Sequence, residues 1–265
     1  MRNSVLWAVL FLNFIGFLAF GAQNSLTTTY AKITRSDLDL KLQYSHTSYF
    51  AENTDSAMDI ELRPSYTLNR QYSLGMDAEY IRPYNKYSDD KTSGFEDTIV
   101  YWSDKNKLGG GYILGFMIRG ILPSSTTSQR AGLQWGTSGE VNLKKEFLFG
   151  SIFIGTELIR YFHQFYTAND AGTEYNAPWA MWNKLSVNLK IYGPLSWFYY
   201  AAFYTYRDYA EFFDTVFRFE SAMTYYVSKG FDVSLTFRRI DKIITNNSLF
   251  DRYNTAVLFG LSLFI

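Results

Sequence analysis

Two histidines, His46 and His163, are the only imidazoles in the chain, and there is no cysteine. A Ser-His-acid device needs a serine within hydrogen-bond reach of the imidazole. Ser45 and Ser48 flank His46, but polar loops often bring Ser and His together, so no catalytic residue is assigned. Metal ligation has equally little to build on: two distant histidines, no thiolate and no His-x-x-His spacing. Asp55, Asp89, Asp90 and Glu96 are acids in polar stretches, where solvated charge explains them better than calcium. Gly109-Gly110-Gly111 opens a strand-like run rather than a helix, which fits a turn and not a phosphate loop. No cofactor and no metal is expected.

The charged residues carry more information. Lys plus Arg and Asp plus Glu number 25 each, a balance that argues against nucleic acid as a partner. Their order along the chain is uneven. Asp39, Asp59, Glu61, Asp77 and Glu79 come early, whereas Lys184, Lys190, Arg207, Arg218 and Arg238 come late.

All ten lie in segments that alternate apolar and polar residues. Leu38, Leu40, Leu42 and Tyr44 share one face of a strand, and Asp37, Asp39, Lys41 and Gln43 the other. Met58 to Leu68 and Tyr72 to Tyr80 repeat the pattern, and similar runs follow at 97–103, 110–121, 133–144, 149–162, 181–192, 197–207, 213–227, 231–240 and 254–265. Pro64 falls inside the second run, where it removes a ladder donor and predicts an edge or a bulge. Short connections (Asn69–Gln71, Asp104–Gly109, Lys145–Leu148, Gly193–Ser196, Ser228–Gly230) alternate with longer ones (His46–Ser56, Tyr84–Glu96, Pro123–Gly132, Gln164–Ala180, Asp208–Phe212, Asp241–Tyr253).

The first residues differ from the rest. Arg2 gives a basic start, Val5 to Phe20 is almost wholly apolar, and Ala19-Phe20-Gly21 is a small-x-small cleavage pattern. Residues 1–21 are expected to be a signal peptide and 22–265 the mature domain, the alternative being a retained anchor. No later apolar run is long enough to span a bilayer as a helix, so a membrane form of the mature chain must be a closed barrel.

About twelve alternating strands, short turns alternating with long loops, and a final strand running through Thr255, Val257, Phe259, Leu261 and Leu263 resemble the bacterial outer-membrane β-barrels. Ile265 stands where a terminal aromatic is usual in that superfamily. The resemblance implies one antiparallel up-and-down transmembrane barrel with short periplasmic turns and longer extracellular loops. It also implies a Gram-negative outer-membrane location. The implied partners are membrane lipid and lipopolysaccharide, the barrel assembly machinery and small polar solutes, and the chain is expected to act as a monomer. The polar faces then line a lumen, with the early acids forming one wall and the late bases another. The expected function is a porin-like channel for small polar or charged solutes.

Three alternatives stay open. Arg63 with Asp77, or Glu220 with Arg218 and Arg238, could pair across strands and fill the barrel, leaving an anchor or adhesin that works through its loops. A barrel enzyme of lipase or protease type would need His46 or His163. Trp102, Trp135, Trp179, Trp182 and Trp197 lie near strand ends, as in an interface girdle, although sugar stacking is another use for them.

Overall fold

The structure is a computed structural model and describes residues 38–49, 57–68, 71–83, 94–167, 175–242 and 255–264. The expected signal peptide lies outside these residues, as do the loop acids Asp55, Asp89 and Asp90.

Twelve long strands form one antiparallel sheet that closes on itself. They are β1 Leu38–Tyr49, β2 Ala57–Thr67, β3 Tyr72–Pro83, β5 Thr98–Gly109, β6 Tyr112–Leu122, β7 Leu133–Phe147, β8 Gly150–His163, β9 Trp179–Tyr192, β10 Leu195–Arg207, β11 Phe213–Ser228, β12 Phe231–Lys242 and β13 Thr255–Phe264. Each strand pairs with its sequence neighbours, and β1 pairs with β13 to complete the ring. A two-residue strand, β4 (Gly94–Phe95), pairs with β3 above the start of β5. One short helix, α1 (Thr126–Arg130), sits between β6 and β7, capped by Ser125, whose hydroxyl accepts from the Ser128 N–H at 3.0 Å. Neither β4 nor α1 leaves a periodic signal in the sequence. The turn expected at Asp104–Gly109 lies further on, because β5 stays paired with β6 through Gly109. Gly109, Gly110 and Gly111 all have φ between 56° and 84°, so this turn requires glycine.

Pro64 acts as its chemistry dictates. The β2–β3 ladder has no pair at Arg63/Asp77 or at Pro64/Met76, and resumes in the same register at Ser65/Gly75.

The exposure of alternate residues decides the facing. Leu158, Leu185, Leu235 and Phe259, on four strands, are 57, 47, 56 and 44% exposed. Glu140, Glu157 and Asp232, on the opposite faces, are 5, 4 and 6% exposed. Water would not tolerate a continuous apolar belt of this extent, and a bilayer requires it. The charged residues are therefore the interior of the barrel.

Candidate lumen site

Two polar-lined cavities lie inside the barrel among the described residues. The larger, about 780 Å³, is bordered by side chains of β1–β3, β5 and β9–β13. The smaller, about 370 Å³, is bordered by β1–β3, β5 and β6. Arg63 and Asp77 border both.

Of the early acids, Asp59, Glu61, Asp77 and Glu79 border the larger cavity, and Asp39 borders the smaller one with Asp77. The period of two puts them on one face of adjacent strands, and the β2–β3 register sets Glu61 opposite Glu79. Glu96 and Asp97, which follow β4, extend the acidic side to the long-loop rim. Burial, reinforced by Asp97 and Asp59, pushes the Glu96 carboxyl above the usual carboxylate range. Asp97 accepts from the Ser125 N–H at 3.0 Å and from the Ser128 hydroxyl, which fastens α1 to the acidic wall.

The late bases do not share one place. Arg218 and Arg238 border the larger cavity and both bind Glu220, Arg218 at 2.6 Å. Lys190 is exposed at the short-turn rim, and Arg207 pairs with Glu211 at 2.8 Å at the long-loop rim. Neither borders a cavity. Lys184 is buried in a network with Arg119, Glu140 and Glu157. Its Nζ lies 2.6 Å from Glu140 Oε2 and also contacts Glu157, while Arg119 Nη2 lies 2.9 Å from Glu140 Oε2 and its other nitrogen contacts Glu157. Ser138 donates to Glu157 at 2.6 Å and Asn142 to Glu140 at 2.9 Å. This network belongs to the β6–β9 side and fills the lumen there. Above it, Ile121, Ile159 and Ala180 pack with Ile99, Tyr161, Tyr204 and Tyr206. The open space lies mainly toward the other strands, with Arg119 itself bordering the smaller cavity.

Arg63 binds Glu61 and lies 3.6 Å from Asp77, so the anticipated Arg63–Asp77 pair forms as a loose contact.

The tryptophans divide. Trp135 stacks on Phe162 with centroids 4.0 Å apart, and Trp179 lies 4.5 Å beneath the Arg160 guanidinium; both rings are exposed. Trp182, expected in the girdle, faces the lumen instead, where it borders the larger cavity with Lys184 Nζ 4.7 Å from its ring.

His46 takes a place in β1 opposite Met58 and Phe259. His163 stands between Tyr161 and Tyr209, and its buried Nδ1 has no hydrogen-bond partner among the described residues. Among the described residues no serine bonds to His163 Nδ1.

Asn176 is a structural centre the sequence did not disclose. It is buried, and its amide donates to the carbonyls of Ala131 (2.8 Å), Phe165 (3.0 Å) and Thr167 (3.2 Å). Its own carbonyl accepts from the Tyr209 N–H at 3.1 Å, so one residue ties together the three loops around 131, 165 and 209. A lone Asn in a polar loop gives no sign of this.

A closed twelve-strand ring, apolar outside and ionic inside, decides the fold. The chain folds as a closed twelve-strand antiparallel β-barrel. Its likeness to solved porins extends over most of its length. The COG4313 outer membrane channel from Pseudomonas putida F1 is 10% identical, with a TM-score of 0.64 over 91% of this chain and all of that one. The NanC porin is 11% identical, with a TM-score of 0.56 over 84% of this chain and 98% of that one. The KdgM porin, solved in complex with disordered oligogalacturonate, is 7% identical, with a TM-score of 0.53 over the same shares. At such identities the likeness is one of fold. No protein-family model and no curated protein matches the chain.

Proposed function

We propose that this porin-like barrel is an outer-membrane channel that passes small polar or charged solutes, with a preference for cations. The observation that carries the reading is the pair of polar-lined cavities inside a closed barrel. The similarity to solved channels and porins supports it. In this reading residues 1–21 direct export, the barrel assembly machinery inserts the chain, and the barrel works as a monomer among lipid and lipopolysaccharide.

The early acids form the acidic wall, and the basic wall reduces to Arg218 and Arg238. Eight carboxylates border the larger cavity against four cationic groups, namely Lys41, Arg63, Arg218 and Arg238. Low-dielectric walls focus such an imbalance and raise the local concentration of counter-ions.

The Lys184 network favours a second reading, a plugged barrel serving as anchor or adhesin, because it occupies the β6–β9 side of the lumen. Planar-bilayer recording of refolded protein separates the two. Stepwise conductance supports the channel. A folded barrel that carries no current contradicts it.

A further inference from the structure

We infer that Arg63 sets the charge selectivity of the passage between the two cavities. The inference rests on the channel reading and names the residue at which that reading is tuned.

Three observations converge on it. First, Arg63 and Asp77 alone border both cavities, so a solute moving from one to the other meets this pair. Second, the pair is loosely made. Its 3.6 Å separation is an ion-pair distance and not a hydrogen bond, and the Arg63 side chain is 43% exposed against 16% or less for the four members of the Lys184 network. Arg63 is therefore less enclosed than the cations of that network, and Glu61 is its closer partner. Third, the β2–β3 ladder is interrupted at Arg63/Asp77 and Pro64/Met76. The backbone beneath the guanidinium is thus paired on the β1 side only, where Arg63 stands opposite Lys41, and not with β3.

The chemistry follows from the charges. Arg63 with Glu61 and Asp77 carries a formal charge of minus one. Without the guanidinium the same point carries minus two. A passing cation can take the place that Arg63 vacates between two carboxylates, whereas an anion meets them once the guanidinium has moved. Arg63 thus holds the passage narrow and moderates a preference for cations that Glu61 and Asp77 would otherwise impose fully.

The test compares wild type, Arg63→Gln, Arg63→Ala and Arg63→Lys in planar bilayers under a potassium chloride gradient, each first shown to be folded by its heat-modifiable mobility on a gel. Arg63→Gln keeps much of the side-chain volume and should move the reversal potential toward potassium. Arg63→Ala should do the same and also raise single-channel conductance. Arg63→Lys should stay near wild type in selectivity. If wild type conducts and neither Gln nor Ala changes selectivity, the assignment of Arg63 is overturned while the channel stands. If every folded form is silent, the channel reading falls and this inference with it. If wild type is silent and Arg63→Ala conducts, the wild-type channel reading fails and Arg63 is a plug rather than a selectivity residue, which overturns the inference.

Discussion

Glu140 and Glu157 stand directly opposite each other in the β7–β8 ladder, both almost fully buried. Two like charges so placed repel, and each carries a desolvation cost. Arg119 reaches them from β6 and Lys184 from β9, so cations from both flanking strands neutralise the pair. Four strands are pinned together by this arrangement.

Removing one cation should therefore be costly. Lys184→Met is expected to destabilise the barrel by about 3–5 kcal/mol, the usual cost of stranding a buried charge. Adding Glu157→Gln should recover part of that loss, because one carboxylate can then be held by Arg119. Denaturant unfolding in detergent micelles measures both. Equal stability of wild type and Lys184→Met would mean the network is hydrated and of little consequence.

Tyr101 offers a steric test. It lies across Gly75, its partner in the β3–β5 ladder, and a Cβ at residue 75 would overlap the Tyr101 ring. Gly75→Val is expected to cost about 1–3 kcal/mol through overpacking. Tyr101→Ala in the same chain should relieve most of it. Additive losses in the double variant would contradict the contact.

Asn176 should control the long-loop rim. Asn176→Ala removes the one amide group that contacts three loop carbonyls while leaving the strands intact. Trypsin should then cut after the exposed Arg130 of α1 faster than in wild type, with the barrel itself resistant. Unchanged cleavage would mean that the loops hold without this residue.

Glu96 should make selectivity pH-dependent. Its carboxyl is held above the usual range by burial and by Asp97 and Asp59, so it takes up a proton while ordinary glutamates remain charged. As pH falls through that raised value, the rim loses a negative charge and preference for cations should weaken. The decline should begin above the usual carboxylate range, and Glu96→Gln should weaken it. Reversal potentials recorded from neutral to mildly acidic pH provide the check.

The strands were legible in the sequence because a period of two is a local property. Asp59, Glu61, Asp77 and Glu79 could be assigned to one face for the same reason. Lys184 could not be separated from Arg218 and Arg238, because its role depends on Arg119, Glu140 and Glu157, residues brought together only by the register of four strands. Glu140 and Glu157 carried a signal, being acids on the polar faces of consecutive runs, but recognising it required the β7–β8 register. Lys190 shares the lumen face of Lys184 but lies at the rim, whereas Arg207, expected in the lumen, shares the outward face of β10 with Phe203 and pairs with the outward Trp179 and Phe213. Trp182 was misjudged because nearness to a strand end says nothing about which side of the wall a residue occupies; its even position in β9, shared with Lys184 and Asn188, carried that information. The triple glycine marked a turn correctly, whereas the turn expected at Asp104–Gly109 fell within β5, since Asp104, Lys105, Asn106 and Lys107 look like a loop by composition alone.

The central claim is an open, acid-rich passage through the barrel. The reversal potential of the wild-type protein across a planar bilayer, with potassium chloride more concentrated on one side, tests it most directly. A value on the potassium side of zero is predicted. Chloride preference, or a folded barrel that passes no current, would contradict it.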